Sequence, residues 1–255
     1  VLNEKFPNQP LLFNLIGACY KEIGQLEGAA KMFGIAVSLR PNYAEAHFNL
    51  GVVFQDLDQK NESIESYKKA IAITPNFPDA HNNLGNVYIA LDQYEAGIGS
   101  FEWAIAHQHD FAEAYNNLAK AYNNLGNEKD AIINFEKAIH YNPNYDKAYF
   151  NLALVFKDLG DEKGFLKNIE KALALKPDWG YAYYHLSRIK KFTKNDPQID
   201  EMKSILNRDD LPINDRIGFS FALSKAFEDL KNNKEQFKFL NDANSLHKKE
   251  LGYSI

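Results

Sequence analysis

The chain has 255 residues, 45% apolar and 25% charged, the balance of a protein that buries a continuous core rather than staying disordered. A formal net charge of -5 argues against a nucleic-acid backbone as the main partner, because neutralising phosphates needs a net basic face. The single cysteine, Cys19, allows no intrachain disulfide, no run approaches the roughly 18 apolar residues of a membrane span, and no signal peptide opens the chain, so the expected address is cytoplasmic with no membrane partner.

In chain order, residues 1–9 hold Pro7 and begin at Val1 rather than Met, which reads as a fragment of a longer protein. From residue 10 one spacing, 34 residues, keeps returning. An aromatic or His, then Leu or Ile, then a small residue, then an aromatic recurs as Phe13-Ile16-Gly17-Tyr20, His47-Leu50-Gly51-Phe54 and His81-Leu84-Gly85-Tyr88. It continues as Tyr115-Leu118-Ala119-Tyr122 and Tyr149-Leu152-Ala153-Phe156. Offsets of three, four and seven put these residues on one face of a helix, A.

A turn signal follows each A helix, at Gly24, Asp58, Asp92, Gly126 and Gly160, where the chain must leave the helix in a left-handed conformation. A second helix, B, carries Ala29-Phe33-Ala36, Ser63-Tyr67-Ala70, Gly97-Phe101-Ala104, Ala131-Phe135-Ala138 and a weaker Phe165-Ile169-Ala172. Small residues at the crossings let backbones approach while the aromatics fill the gaps. Proline marks the junctions at Pro41, Pro75, Pro143 and Pro177, with His109 breaking the series. Five repeats result, at 10–43, 44–77, 78–111, 112–145 and 146–179. Phe165, after Gly164, stands where a small residue is expected, so the most distorted hairpin is expected there.

Beyond 180 a degenerate sixth repeat and connector occupies 180–216, readable in Tyr183-Leu186-Ser187 before Lys190-Lys191-Phe192-Thr193-Lys194-Asn195. Asp196 and Pro197 supply an N-cap and first helical position for a helix through about Leu206. A divergent seventh hairpin spans 217–255, with Leu223-Ser224-Phe227 and Phe237-Leu240-Ala243 on its two helices.

The repeats resemble the tetratricopeptide family in period, helix-turn-helix unit and small and aromatic positions. The resemblance implies an all-α, right-handed superhelical solenoid holding a protein or peptide ligand in its concave groove, with residues 1–9 as the tail of a preceding repeat. Residues 180–255 resemble something narrower, through Leu186-Ser187-Arg188-Ile189-Lys190-Lys191-Phe192, Asp196-Pro197-Gln198-Ile199, the run from Phe221 to Leu230, and Asn244 to Tyr253. These look like the connector of bacterial tetratricopeptide-sulfotransferase proteins, in which a domain binding the sulfuryl donor PAPS follows. The resemblance implies a sulfotransferase domain in the parent chain, with this chain as its non-catalytic substrate-recognition region.

Asn49, Asn83, Asn117 and Asn151 recur every 34 residues on helix A, a row able to donate and accept hydrogen bonds along an extended peptide backbone. The row is similar to the asparagine ladder of the O-linked N-acetylglucosamine transferase. The same residues also suit bonding within the stack, and both readings stay open. Further inward candidates are Asn82, Asn86, Asn116, Lys120, Asn123 and Asn124, with Phe48, Phe150, Tyr181 and Tyr184 as aromatic anchors or as covers for neighbouring helices. Lys120 and Lys147 with Asn151 recover only part of the family's clamp for a terminal carboxylate.

Arg188, Lys190, Lys191 and Lys194 could meet an acidic partner or a sulfated or phosphorylated ligand, or form a solvated helix end neutralised by Asp196 and Glu201. Of seven histidines, His47 and His81 hold an aromatic packing position, and His107 with His109 lacks a third ligand at metal-site spacing. No phosphate loop, dinucleotide fingerprint or zinc-protease motif is present, so no enzyme activity, metal or cofactor is expected of this chain. Cys19, between Gly17 and Tyr20, is expected to be buried.

Overall fold

The computed structural model describes residues 9–251 and is all-helical, with 14 helices and no strand among them. Expectations for the tail at 1–8 and for 252–255 lie outside the described residues. The described residues divide into two compact bodies, 9–141 and 142–251.

The N-terminal body holds α1 (Pro10–Glu22), α2 (Leu26–Leu39), α3 (Ala44–Asp56), α4 (Lys60–Ile73), α5 (Pro78–Ile89), α6 (Tyr94–His107), α7 (Ala112–Asn124) and α8 (Glu128–Tyr141). Each A helix packs on its own B helix, and each B helix on the next A helix. Glycine makes the first contact possible. A Cβ at Gly17, Gly51 or Gly85 would lie 2.8, 2.7 or 2.6 Å from the ring of Phe33, Tyr67 or Phe101, and those rings are fully buried. Helix entry is also legible: Pro10 and Pro78 take first-turn positions, where a missing N–H costs nothing.

All five turn signals sit in the left-handed region, at φ 74° for Gly24, 58° for Asp58, 57° for Asp92, 71° for Gly126 and 74° for Gly160. The N–H after each bonds back to the carbonyl of the helix-A aromatic, as in Gln25 to Tyr20 and Gln93 to Tyr88, which satisfies an orphan carbonyl. The last hairpin closes in the same way through Lys231, at φ 55°, and the Asn232 N–H to Phe227 bond.

Cys19 corrects an expectation, because it is exposed. Its equivalents Val53, Val87 and Ala121 are sealed by the preceding hairpin, whereas no helix precedes α1 among the described residues. Leu11, Leu15 and Ile23 share that exposure, at 60–68%.

The C-terminal body holds α9 (Asp146–Asp158), α10 (Glu162–Leu175), α11 (Gly180–Ser187), α12 (Pro197–Leu206), α13 (Ile213–Asp229) and α14 (Asn233–Glu250). Phe165 is fully buried, yet α10 runs uninterrupted over the same 14 residues' length as α2 and α8. The expected distortion is relieved by an exchange of sizes: the usual aromatic position is taken by Ile169, so the ring moves one turn rather than being added. Asp196 caps α12 by accepting from the Gln198 N–H.

Helix α11 packs chiefly on α13. Gly180 and Gly218 meet backbone to backbone, where any Cβ would strike the facing helix. Asp215 tightens the crossing by accepting from the Gly180 N–H at 2.9 Å. Phe150, Phe165, Ile169, Tyr183, Met202 and Phe219 belong to the buried core around it. No described helix is long and apolar enough to cross a membrane.

Candidate functional site

In the N-terminal body the asparagines of successive A helices bond to one another. Asn49 Nδ2 on α3 donates to Asn14 Oδ1 on α1 at 3.0 Å, and Asn14 Nδ2 donates to Glu45 Oε1 at 3.3 Å. Sixty-eight residues on, the motif returns: Asn117 Nδ2 on α7 donates to Asn82 Oδ1 on α5 at 3.0 Å, and Asn82 Nδ2 to Glu113 Oε1 at 3.3 Å. Asn116 Nδ2 reaches Asn117 Oδ1 at 3.4 Å. Glu45 and Glu113 went unnoticed in the sequence, although each stands four residues before a ladder asparagine.

Phe48 breaks the polar alternation between these triads. It stacks obliquely against Phe77 at 4.9 Å and Tyr67 at 5.8 Å. Asn83 hydrogen-bonds the Tyr67 hydroxyl, which itself donates to Gln55 Oε1 at 3.0 Å. Burial holds that phenol well above the ordinary tyrosine range, so it stays neutral.

Depth sorts the candidates. Asn82, Asn116, Asn117 and Phe150 are all less than 10% exposed, so their side chains are committed to the interior of their stacks. Asn49, Asn83, Asn86, Asn123 and Phe48 are half-buried, and Lys120 and Asn124 are exposed. The side chains of Asn86, Lys120 and Asn123 have no protein partner among the described residues. They lie on α5 and α7, the two helices locked by the Asn82–Glu113–Asn117 triad.

Three histidines of this body make packing contacts. His47 Nε2 bonds the Pro41 carbonyl at 2.9 Å and so ties the junction. His81 stacks on Trp103 at 3.7 Å, and Trp103 on His107 at 3.6 Å. Burial, with the charge of His107, lowers the His81 value to about 4. Among the described residues no three His, Cys, Asp or Glu are grouped to hold a metal.

In the C-terminal body the triad positions turn aromatic. Phe150, Tyr181 and His185 stand where Asn82, Glu113 and Asn117 stand earlier, with ring centroids 4.6–5.7 Å apart. Neither ring nitrogen of His185 has a hydrogen-bond partner among the described residues. Burial, then the charges of Lys157 and Arg188, lower its value to about 4. Asn151 is half-buried on α9, Tyr181 is exposed and Tyr184 half-buried. Of the basic run, Lys190 pairs with Asp196 at 2.7 Å, whereas Glu201 bonds Tyr183 instead.

Comparison with known proteins agrees with this architecture. A TPR repeat model matches residues 17–58 and 56–92, and a tetratricopeptide repeat model matches 112–145 and 146–178, together more than half of the chain. No curated protein is significantly similar over the sequence. Among solved structures, MamA is 28% identical, over 64% of this chain and 95% of its own, with a TM-score of 0.58. YrrB, a TPR protein with an unusual peptide-binding site, is 19% identical over 72% of this chain and 95% of its own, TM-score 0.57. PilF of Pseudomonas aeruginosa is 18% identical over 91% and 97%, TM-score 0.66. The 34-residue period, the left-handed hairpin turns and these matches agree, and the chain belongs to the tetratricopeptide repeat family.

Proposed function

We propose that this chain is a non-catalytic scaffold that binds an extended segment of a partner protein along the A-helix face of its N-terminal body. One observation carries the reading: Asn86, Lys120 and Asn123 present polar ends unpartnered among the described residues on α5 and α7, beside the Asn82–Glu113–Asn117 triad whose two buried amides join both helices. An amide offers donor and acceptor together, which suits alternating peptide N–H and C=O groups, and a rigid base lowers the ordering cost of binding. The peptide-binding site described for YrrB supports the same use of this fold. Asn83 and Asn49 contribute as half-engaged neighbours, and the buried Asn82, Asn116 and Asn117 as supports.

The test is titration calorimetry with a peptide selected by display against the protein. Asn86→Ala with Asn123→Ala should weaken binding about tenfold at unchanged helicity. Undiminished affinity would remove the reading.

A second reading rests on the connector-like residues 180–255, whose motifs support a sulfotransferase domain following this scaffold in the parent protein. Sequencing the parent gene beyond Ile255 tests it: a phosphosulfate-binding loop is expected there, and an unrelated continuation would dismiss it.

A further inference from the structure

The C-terminal body carries two adjoining cavities, of about 510 and 440 Å³, that share Tyr184 and Phe221 as a common wall. Those rings lie 6.0 Å apart, tilted by 59°. The larger cavity is walled by Tyr181, Ile217 and Gly218. The smaller is rimmed by Ser187, Ser224 and charged groups. Both volumes fall in the range of roughly 300–1,000 Å³ typical of ligand sites.

The charges decide what fits. Lys225 is compensated by Glu228 at 2.6 Å and Asp229 at 2.9 Å, and Glu250 of the larger cavity lies 3.5 Å from His247, an ion pair only when that ring is protonated. Arg188 has no carboxylate partner among the described residues. One of its nitrogens donates to the Tyr184 hydroxyl at 2.9 Å, which holds the guanidinium at the rim with its other donors unused. An oriented guanidinium matches a carboxylate in a two-point bond, and a rigid aromatic wall favours a bulky apolar side chain.

We propose that this cleft is a second peptide site, which seats a large apolar side chain between Tyr184, Phe221 and Ile217 and pairs an adjacent acidic side chain with Arg188. Two contiguous chambers, one mainly apolar and one holding an Arg188 that has no carboxylate partner among the described residues, suit a segment running across both. The site is independent of the reading given for the N-terminal body, because none of its residues lies there.

The test uses the whole chain and fluorescently labelled short Gly–Ser peptides, read by anisotropy, with Trp-Glu-Glu, Trp-Lys-Lys or Gly-Glu-Glu at their centre. The Trp-Glu-Glu peptide should bind at least about tenfold more tightly than the other two. Arg188→Glu, on an exposed side chain that leaves the fold intact by circular dichroism, should reverse the preference towards Trp-Lys-Lys. Phe221→Ser should weaken all Trp peptides, and Asn86→Ala with Asn123→Ala should leave this binding within about twofold. Equal affinity for the acidic and basic peptides, no effect of Arg188→Glu, or no binding of Trp-Glu-Glu would overturn the site. Loss in the asparagine variant alone would place the binding on the N-terminal body and overturn it equally.

Discussion

Asn82 both accepts from Asn117 and donates to Glu113, so removing its amide strands the buried Asn117 amide and frees the exposed Glu113, whereas the Asn86 side chain, one turn away, has no hydrogen-bond partner among the described residues. An unsatisfied buried polar group costs about 1–3 kcal/mol. Asn82→Ala should therefore lower unfolding stability by about that much in urea titrations, and Asn86→Ala should stay within about 0.5 kcal/mol. Equal effects would mean that the triad does not support α5 and α7. Which asparagines are structural and which are left for a ligand could not be read from their spacing. All recur with the same period, and only the packing of one A helix beside the next shows which amides meet.

Each hairpin turn needs one residue in the left-handed region, and the chain supplies Gly three times, Asp twice and Lys once. The penalty of a side chain there makes Lys231 the weakest choice, since Asp tolerates the conformation better. Lys231→Gly should stabilise the protein by about 0.5–1 kcal/mol, while Gly126→Ala should cost about 1 kcal/mol, both read as shifts in urea midpoint. A destabilising Lys231→Gly would show that its side chain contributes more than its backbone strain. The first five turns were legible because Gly and Asp announce them. The sixth was hidden, because Lys signals no turn and only the Asn232 N–H to Phe227 bond reveals the shared motif. Helix α10 shows the reverse case: Phe165 looked disruptive until the structure paired it with the smaller Ile169.

Across the whole molecule, each compact body contains one histidine that folding keeps neutral, His81 in the first and His185 in the second. Their folded values near 4 lie below the ordinary 6.5, so the unfolded chain takes up protons first as pH falls. Their contribution is complete above about pH 6.5 and is lost as pH falls from there towards 4. Solvent screening brings it to about 1–2 kcal/mol per ring. Urea midpoints taken between about pH 7.5 and pH 4 should fall more steeply for the native chain than for the His81→Phe, His185→Phe variant. Parallel profiles would refute the assignment. Phe at position 81 has a precedent at Phe13 of the first repeat.

Periodicity alone specified the all-α class, the five regular hairpins and the left-handed turns, because each depends on side chains within one helix or one turn of each other. Tertiary structure alone decided that Cys19 is exposed, that Asn82, Asn117 and Phe150 are interior, and that α11 pairs with α13 through Gly180 and Gly218. Those outcomes depend on which surface of a neighbouring helix arrives, or fails to arrive, against a residue. Contacts between residues some 34 positions apart leave no local mark on either one.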